Sequence, residues 1–294
     1  MKLRKLLTRN AVALLAFVVG VAAVGAARIF RRVEAGKTAK VRVEMRVPEA
    51  PPVSTPVHVA VPVPTPVESL EDWDPPESPP HSARVLETGE FHGDEVKART
   101  GERWLGLYLT NKGSFLIDSI LTVAIVKDEM VDSDDSHAKT GKRVSVNHQP
   151  IPILLVKGAK GLQPGPVSTV FNGTLHLPTT MAVEFPLGGS VYSLDVVTKD
   201  TSREPYISFS DAKLVLTKDD ETKQVLYDLG GKGGPAEAYW QLLWAGDMDG
   251  DNKLDLYVQV SYHYNVSLKK LFLSSQAKKG KLVREVGEFH TVGC

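Results

Sequence analysis

Four aspartates lie within nine consecutive positions near the carboxyl end of the chain. They are Asp247, Asp249, Asp251 and Asp255, in the stretch GDMDGDNKLDLYVQV. Two carboxylates a few ångströms apart repel by about 1 kcal/mol in water-like surroundings, and by more where solvent is excluded. A hard divalent cation removes that cost because it prefers oxygen ligands. The spacing therefore predicts a cation site in this loop.

The spacing also indicates which cation is bound. Counted from Asp247 as position 1, the aspartates occupy positions 1, 3, 5 and 9, and Lys253 at position 7 would contribute its backbone carbonyl. Calcium accepts about six to eight oxygens in loose geometry, whereas magnesium demands a strict octahedron, so we expect calcium. Two departures from the helical EF-hand loop are Val258 in place of the bidentate glutamate and Asn252 in place of glycine. Asparagine tolerates a positive φ, so the turn can still form.

The stretch WAGDMDGDNKLDLYVQV resembles the calcium loop of FG-GAP/VCBS-type repeats, which are found in integrin-like β-propellers and many bacterial surface proteins. The resemblance covers about 20 of the 294 residues. It implies that Asp247, Asp249, Asp251, Asp255 and the Lys253 carbonyl are ligands. It does not imply a propeller, because a propeller needs about four or more blades and the sequence has one such loop. We expect a single calcium-loop hairpin inside another β fold.

From about residue 84 onward, the sequence is typical of β structure. Short apolar runs rich in β-branched and aromatic residues alternate with turn residues, and leave little room for helices. This predicts an all-β fold, either an antiparallel sandwich or a barrel-like domain. A helix is an alternative at 235–245, although its end at 242–245 favours a buried strand. The runs that predict strands are 102–110, 114–128, 152–158, 167–173, 189–199, 211–217, 223–229, 256–264, 269–275 and 281–289.

The amino-terminal residues predict export or membrane insertion. Four basic residues within positions 2–9 precede an uncharged apolar run at 11–27. As a helix this run is about 25 Å long, slightly short of a hydrocarbon core of about 30 Å. The small residues at 24–27 also suit cleavage by signal peptidase. An uncleaved membrane anchor and a cleaved signal peptide are both open, and either predicts a location in the cell envelope, on the extracytoplasmic side.

A proline-rich stretch at 48–80 follows the apolar run. Proline favours extended polyproline II geometry, so this stretch predicts a semi-rigid spacer, with a ligand for an aromatic-lined groove as the alternative. Trp73 is costly to leave exposed, which suggests that residues 70–74 dock on the folded part. The predicted organisation is a signal peptide or membrane anchor at 1–32, an extended linker at 33–83, a β domain at 84–229, and a C-terminal β segment at 230–294 packed on the same domain.

Composition excludes several functional classes. The chain carries 35 basic and 35 acidic residues, so no basic excess indicates nucleic-acid binding. The single cysteine, Cys294, excludes an intrachain disulfide and a cysteine-built zinc site.

The aspartate-rich stretch 132–142 is interpreted as a solvated loop, with a second cation site as the alternative. His263 follows the aspartate loop and is explained equally well by a ligand groove or by an exposed strand.

The sequence contains no recognised hydrolase motif of the G-x-S-x-G or H-E-x-x-H type. These observations together predict a membrane-anchored or exported β protein with one structural calcium site. We expect it to act as a binding or scaffold module for a protein or glycan ligand, and not as an enzyme. The alternatives are an exported hydrolase whose calcium only stabilises the fold, and a component of an envelope assembly.

Overall fold

The computed structural model describes residues 78–133, 137–179, 181–198, 212–230 and 238–293. All regular structure in these residues is β-strand, and every strand pair is antiparallel, which confirms the all-β fold class. The strands are β1 (Arg84–Leu86), β2 (Gly89–Phe91), β3 (Arg103–Thr110), β4 (Gly113–Val126), β5 (Gly141–Val146), β6 (Leu154–Lys157), β7 (Gly165–His176), β8 (Val183–Leu187), β9 (Ser190–Val197), β10 (Lys213–Lys218), β11 (Thr222–Asp228), β12 (Tyr239–Asp247), β13 (Asp255–Ser261), β14 (Val266–Leu273) and β15 (Arg284–Val292).

The larger of the two sheets has 11 strands and is nearly closed into a barrel-like shape. Its main path runs β1-β6-β3-β4-β7-β12-β13-β14-β15, and β5 pairs with both β4 and β2. The two ends of this path meet where the backbone N–H groups of Ser82 and Ala83 donate to Val286 O at 3.0 and 2.8 Å. Gly287 permits this approach, because a Cβ atom there would lie only 2.9 Å from Ala83 O. The terminal strands are thereby covered instead of exposed as free edges.

The smaller sheet has the order β11-β10-β9-β8 and packs over one face of the larger sheet. Leu214 and Tyr227 of the smaller sheet share a hydrophobic core with Trp240 and Val258 of the larger one. The rings of Tyr227 and Trp240 meet edge to face, with centroids 5.7 Å apart. This core holds the two sheets together.

Strands β12 and β13 separate that first core from a second one, because successive side chains of a strand point to opposite faces. Leu256 and Val258 of β13 enter the first core, while Tyr257 between them enters the second. A register shift between Leu242 and Trp244 marks a β-bulge in β12, and Trp244 then lies in the second core. Burial on both faces fixes the register of the hairpin that carries the aspartates.

The sequence predicted most of the strands, with differences at particular places. Residues 239–245 are strand, so the interpretation of 242–245 as a buried strand is confirmed and a helix over these residues is wrong. The strand predicted at 256–264 ends at Ser261, because a turn follows in which Val266 N–H donates to His263 O. The short strands β1, β2, β5 and β8 were not predicted. Pro186 argues against a strand at β8 in the sequence, because proline cannot donate a hydrogen bond to a neighbouring strand. It is tolerated there because β8 lies at a sheet edge.

The predicted signal peptide or anchor at 1–32 and most of the predicted linker at 33–83 lie outside the described residues. Among the residues that the structure describes, no helix is long and apolar enough to cross a bilayer. The described end of the linker, residues 78–83, lies beside β14 and β15, where Lys270 Nζ donates to Ser78 Oγ at 3.0 Å. The predicted C-terminal segment joins the larger sheet through the pairing of β12 with β7.

Candidate metal centre

The loop between β12 and β13 is wound around the side chain of Asp247. Asp247 Oδ1 accepts hydrogen bonds from the backbone N–H groups of Gly250 and Asp251 at 2.7 and 3.1 Å, and Asp247 Oδ2 accepts one from Asn252 at 2.9 Å. Gly250 and Asn252 have φ values of 80° and 62°. The positive φ expected at Asn252 is therefore observed, and it turns the backbone back toward β13.

This winding brings three of the predicted ligands together. Asp247, Asp249 and Asp251 each offer one carboxylate oxygen, and these oxygens all lie within 4.8 Å of one another. Asp249 Oδ1 is buried and has no hydrogen-bond partner among the described residues. Burial raises the pKa of Asp249, and the charges of Asp251 and Asp247 raise it further. A cation at this position would satisfy the free oxygen and remove the repulsion.

Asp255 does not join that three-oxygen group. It is fully buried, and its carboxylate accepts hydrogen bonds from Met248 N–H at 2.7 Å, Ser274 N–H at 2.7 Å and Ser274 Oγ at 2.9 Å. Burial raises its pKa to about 8, and the nearby charge of Asp249 contributes, although these hydrogen bonds act in the opposite direction. A divalent cation beside the loop would favour the ionised carboxylate. Asp255 thus ties the loop to the end of β14.

Lys253 contacts the site through its nitrogen atoms. Its backbone N–H donates to Asp251 Oδ1 at 3.0 Å, and its Nζ lies 3.1 Å from Asp251 Oδ2. Its side chain is 57% exposed, so this ion pair is screened by solvent and contributes little to stability. Because the Lys253 ammonium is exposed, it can move into solvent when a divalent cation binds the Asp251 carboxylate. The role predicted for the Lys253 carbonyl remains a prediction.

Two serines after β14 also contact the loop, and the sequence did not reveal them. The one hydroxyl hydrogen of Ser274 is shared between Asp251 Oδ1 and Asp255 Oδ1, each 2.9 Å from Ser274 Oγ, and Ser275 Oγ donates to Asp249 Oδ2. A further contact comes from Gly188, in the turn between β8 and β9, where a Cβ atom would lie 2.1 Å from Asn252 O. These residues are 19 or more positions from their partners, so only the pairing of the strands brings them to the loop.

The donor set is suited to a hard cation. Three carboxylate oxygens in one group, with hydroxyl oxygens at hand, match the oxygen preference of calcium or magnesium and not that of metals that favour sulfur or imidazole. The loop supplies the carboxylates from a turn held at both ends by β12 and β13. Such a site can hold an ion in place, and its described residues provide no histidine beside the three carboxylates.

A second acidic group has a different character. His81, Glu285 and Glu288 also bring three potential ligand atoms within 4.8 Å of one another. The buried ammonium of Lys270 lies 2.7 Å from a carboxylate oxygen of each glutamate. This ammonium pairs with both carboxylates and offsets one of their two negative charges, so the group is a partly buried ion-pair network and a poor cation site.

The weaker sequence candidates are explained by local structure. Asp132 Oδ2 accepts backbone N–H groups of Asp128 and Thr140, both within 2.9 Å, so it organises its own loop. Residues 134–136 of that loop lie outside the described residues. His263 Nδ1 bonds to Asn265 Oδ1 at 2.5 Å, and its ring lies at a tilt against the ring of Tyr264 in the turn after β13.

Comparison of the chain with family models, with curated proteins and with solved structures gave no match. The functional assignment therefore depends on the geometry of the site and on the sequence.

Proposed function

We propose that this chain is an extracytoplasmic β module, anchored in the membrane or exported, that is stabilised by one calcium ion bound in the β12–β13 loop. The proposal depends chiefly on one observation. The carboxylates of Asp247, Asp249 and Asp251 converge within 4.8 Å, and one buried oxygen of Asp249 has no partner among the described residues. Without a cation, this arrangement leaves a buried polar atom unsatisfied and three acidic groups in mutual repulsion.

Calcium fits the loop better than magnesium. Its larger shell of about six to eight oxygens can be completed by carboxylates, backbone carbonyls and water in irregular geometry. The resemblance to FG-GAP/VCBS-type loops supports the same ion, with Asp255 and the Lys253 carbonyl as further ligands in that family pattern. In this chain, the Asp255 carboxylate accepts hydrogen bonds from the backbone N–H groups of Met248 and Ser274. We therefore propose that Asp255 stabilises the loop and does not bind the ion directly.

The ion would have a structural role. The loop contacts the end of β14 through Ser274 and Ser275, and it contacts the smaller sheet at Gly188. A cation that fixes the loop would therefore stabilise the junction between the two sheets. The extracytoplasmic location, where calcium is abundant, is supported by the basic and apolar residues at 2–27. A binding or scaffold role for a protein or glycan ligand follows from an exported β domain on a proline-rich spacer.

Thermal unfolding of the full-length chain in calcium and in chelator tests this proposal. Calcium at about 100 times its dissociation constant should stabilise the folded state by about 2.7 kcal/mol and raise the Tm. Asp249→Ala should abolish the rise, because it removes the ligand with the unpartnered oxygen. Asp94→Ala is a matched control, since Asp94 is exposed and distant in sequence from the loop, and it should retain the full rise. An unchanged Tm across the calcium titration would contradict the proposal.

A further inference from the structure

A groove of about 550 Å³ is lined by β11, an end strand of the smaller sheet, and by the turn that joins β14 to β15. Its size is within the range of about 300 to 1,000 Å³ that is usual for ligand-holding pockets. One wall is apolar, where Val225 of β11 is 49% exposed. The remaining wall includes Pro79 and Pro80, the first described prolines of the chain.

Tyr227, which lines this groove, carries an unsatisfied polar atom. The hydroxyl oxygen of Tyr227 is buried and has no hydrogen-bond partner among the described residues. Burial raises the pKa of Tyr227 well above its usual range, so this hydroxyl stays protonated. The Lys270 ammonium lies 5.8 Å from the Tyr227 ring centroid. A buried donor without an acceptor indicates that a further group belongs beside it.

The outer rim of the groove is basic. Lys278, Lys281 and Arg284 line it, and none of the three forms an ion pair within the described part of the chain. The acidic residues that line the same groove, Asp228 and Glu285, are already paired with Lys213 and Lys270. Within the described residues, the rim therefore carries three positive charges without an ion-pair partner and favours an acidic occupant.

The chain itself leads into this groove. Ser78 Oγ bonds to Glu288 and accepts a hydrogen bond from Lys270 Nζ, and residues 82 and 83 are held by Val286 O. The residues immediately before Ser78 must therefore start at the groove. Residues 68–77, with the sequence ESLEDWDPPE, contain five acidic residues, no basic residue and Trp73. At about 3.1 Å per residue, the five steps from Ser78 to Trp73 reach about 16 Å.

We propose that residues 68–77 fold back and occupy this groove. Trp73 would cover the apolar wall at Val225, and the flanking carboxylates would pair with Lys278, Lys281 and Arg284. A single exposed ion pair is weak, so several pairs together are needed to hold the segment in the groove. This inference is independent of the proposed calcium site.

Quenching of tryptophan fluorescence by acrylamide tests the proposal on the full-length chain. Trp104, Trp240 and Trp244 are at most 2% exposed, so accessible emission reports on Trp73, and Trp73→Phe isolates its contribution. We expect Trp73 to be shielded in the unaltered chain. The double substitution Lys278→Glu and Lys281→Glu should raise its quenching constant several-fold. Lys279→Glu, in the same turn but outside the groove, is the matched control and should leave quenching unchanged.

A charge exchange strengthens this test. Glu71→Lys and Asp72→Lys, combined with the two lysine reversals, should restore the shielding. A Trp73 that is freely quenched in the unaltered chain would overturn the proposal, as would equal effects of the Lys279 control and the double reversal. Shielding that disappears on dilution would also overturn it, because the occupant would then be a second copy of the chain.

Discussion

At the scale of single residues, the four aspartates of the β12–β13 loop have different roles. Asp247 binds three backbone N–H groups and shapes the turn, while Asp249 carries the oxygen without a partner. Asp251 is shared between Ser274 and Lys253. Asp255 is buried behind the loop. The loop thus combines groups that build it with groups that are free to bind, which is why substitution of each aspartate should have a distinct effect.

A histidine away from the loop provides a prediction of pH dependence. His92 Nδ1 bonds to Asp128 Oδ2, and this bond raises the pKa of His92 and lowers the pKa of Asp128. The histidine contribution to stability is complete below its unfolded pKa of about 6.5 and is lost as the pH rises through the higher folded value. The aspartate contribution is present above its unfolded pKa of about 3.9 and is lost as the pH falls through the lower folded value.

The stabilising window therefore lies between these two folded pKa values. We expect the free energy of unfolding of the unaltered chain to exceed that of His92→Gln by more at about pH 6 than at about pH 8.5. Urea unfolding at several pH values measures this difference. His137→Gln, an exposed change, is the control and should show no such trend. A difference that stays constant with pH would argue against the pair.

At the scale of elements, the hairpin turn between β8 and β9 supports the aspartate loop from the smaller sheet. Gly188 and Gly189 form this turn with φ values of 62° and 80°. Gly188 touches the loop, since an added Cβ would lie 2.1 Å from Asn252 O, whereas Gly189 faces open space. The two glycines thus share the same backbone requirement but differ in their contact with the site.

This difference allows a matched comparison. Gly189→Ala should cost about 1 kcal/mol of stability through its positive φ alone. Gly188→Ala should cost about 1 to 3 kcal/mol more, because the methyl group must displace the loop, and it should also weaken calcium binding. Urea unfolding and calcium titration of both variants measure the two effects. An equal loss of unfolding free energy in the two variants would show that the β8–β9 turn does not support the aspartate loop.

The strands and the acidic spacing could be predicted from the sequence because both are local patterns. A short apolar run rich in β-branched residues predicted β13, and the odd-numbered aspartates predicted the loop. The support from Ser274 and Gly188 could not be predicted, since it depends on which strands pair and in what register. The short strands β1 and β2, with three residues each, contain too few positions to show alternation.

At the scale of the whole molecule, a nearly closed sheet and a smaller covering sheet enclose two hydrophobic cores on either side of β12 and β13. The candidate metal centre lies at one end of these two strands, where both sheets meet. A cation there would stabilise the junction without any catalytic step. Under the proposed function, the anchor predicted at 1–32 and the part of the predicted linker before residue 68 would hold this domain away from the membrane.

Calorimetric titration of calcium into the chelator-treated full-length chain tests the central claim most directly. We predict saturable binding of one calcium ion per chain, and an affinity at least tenfold lower for Asp249→Asn, which corresponds to a loss of about 1.4 kcal/mol. Magnesium should bind more weakly than calcium. A chain that takes up no calcium, or an Asp249→Asn variant that binds it as tightly as the unaltered chain, would contradict the proposed site.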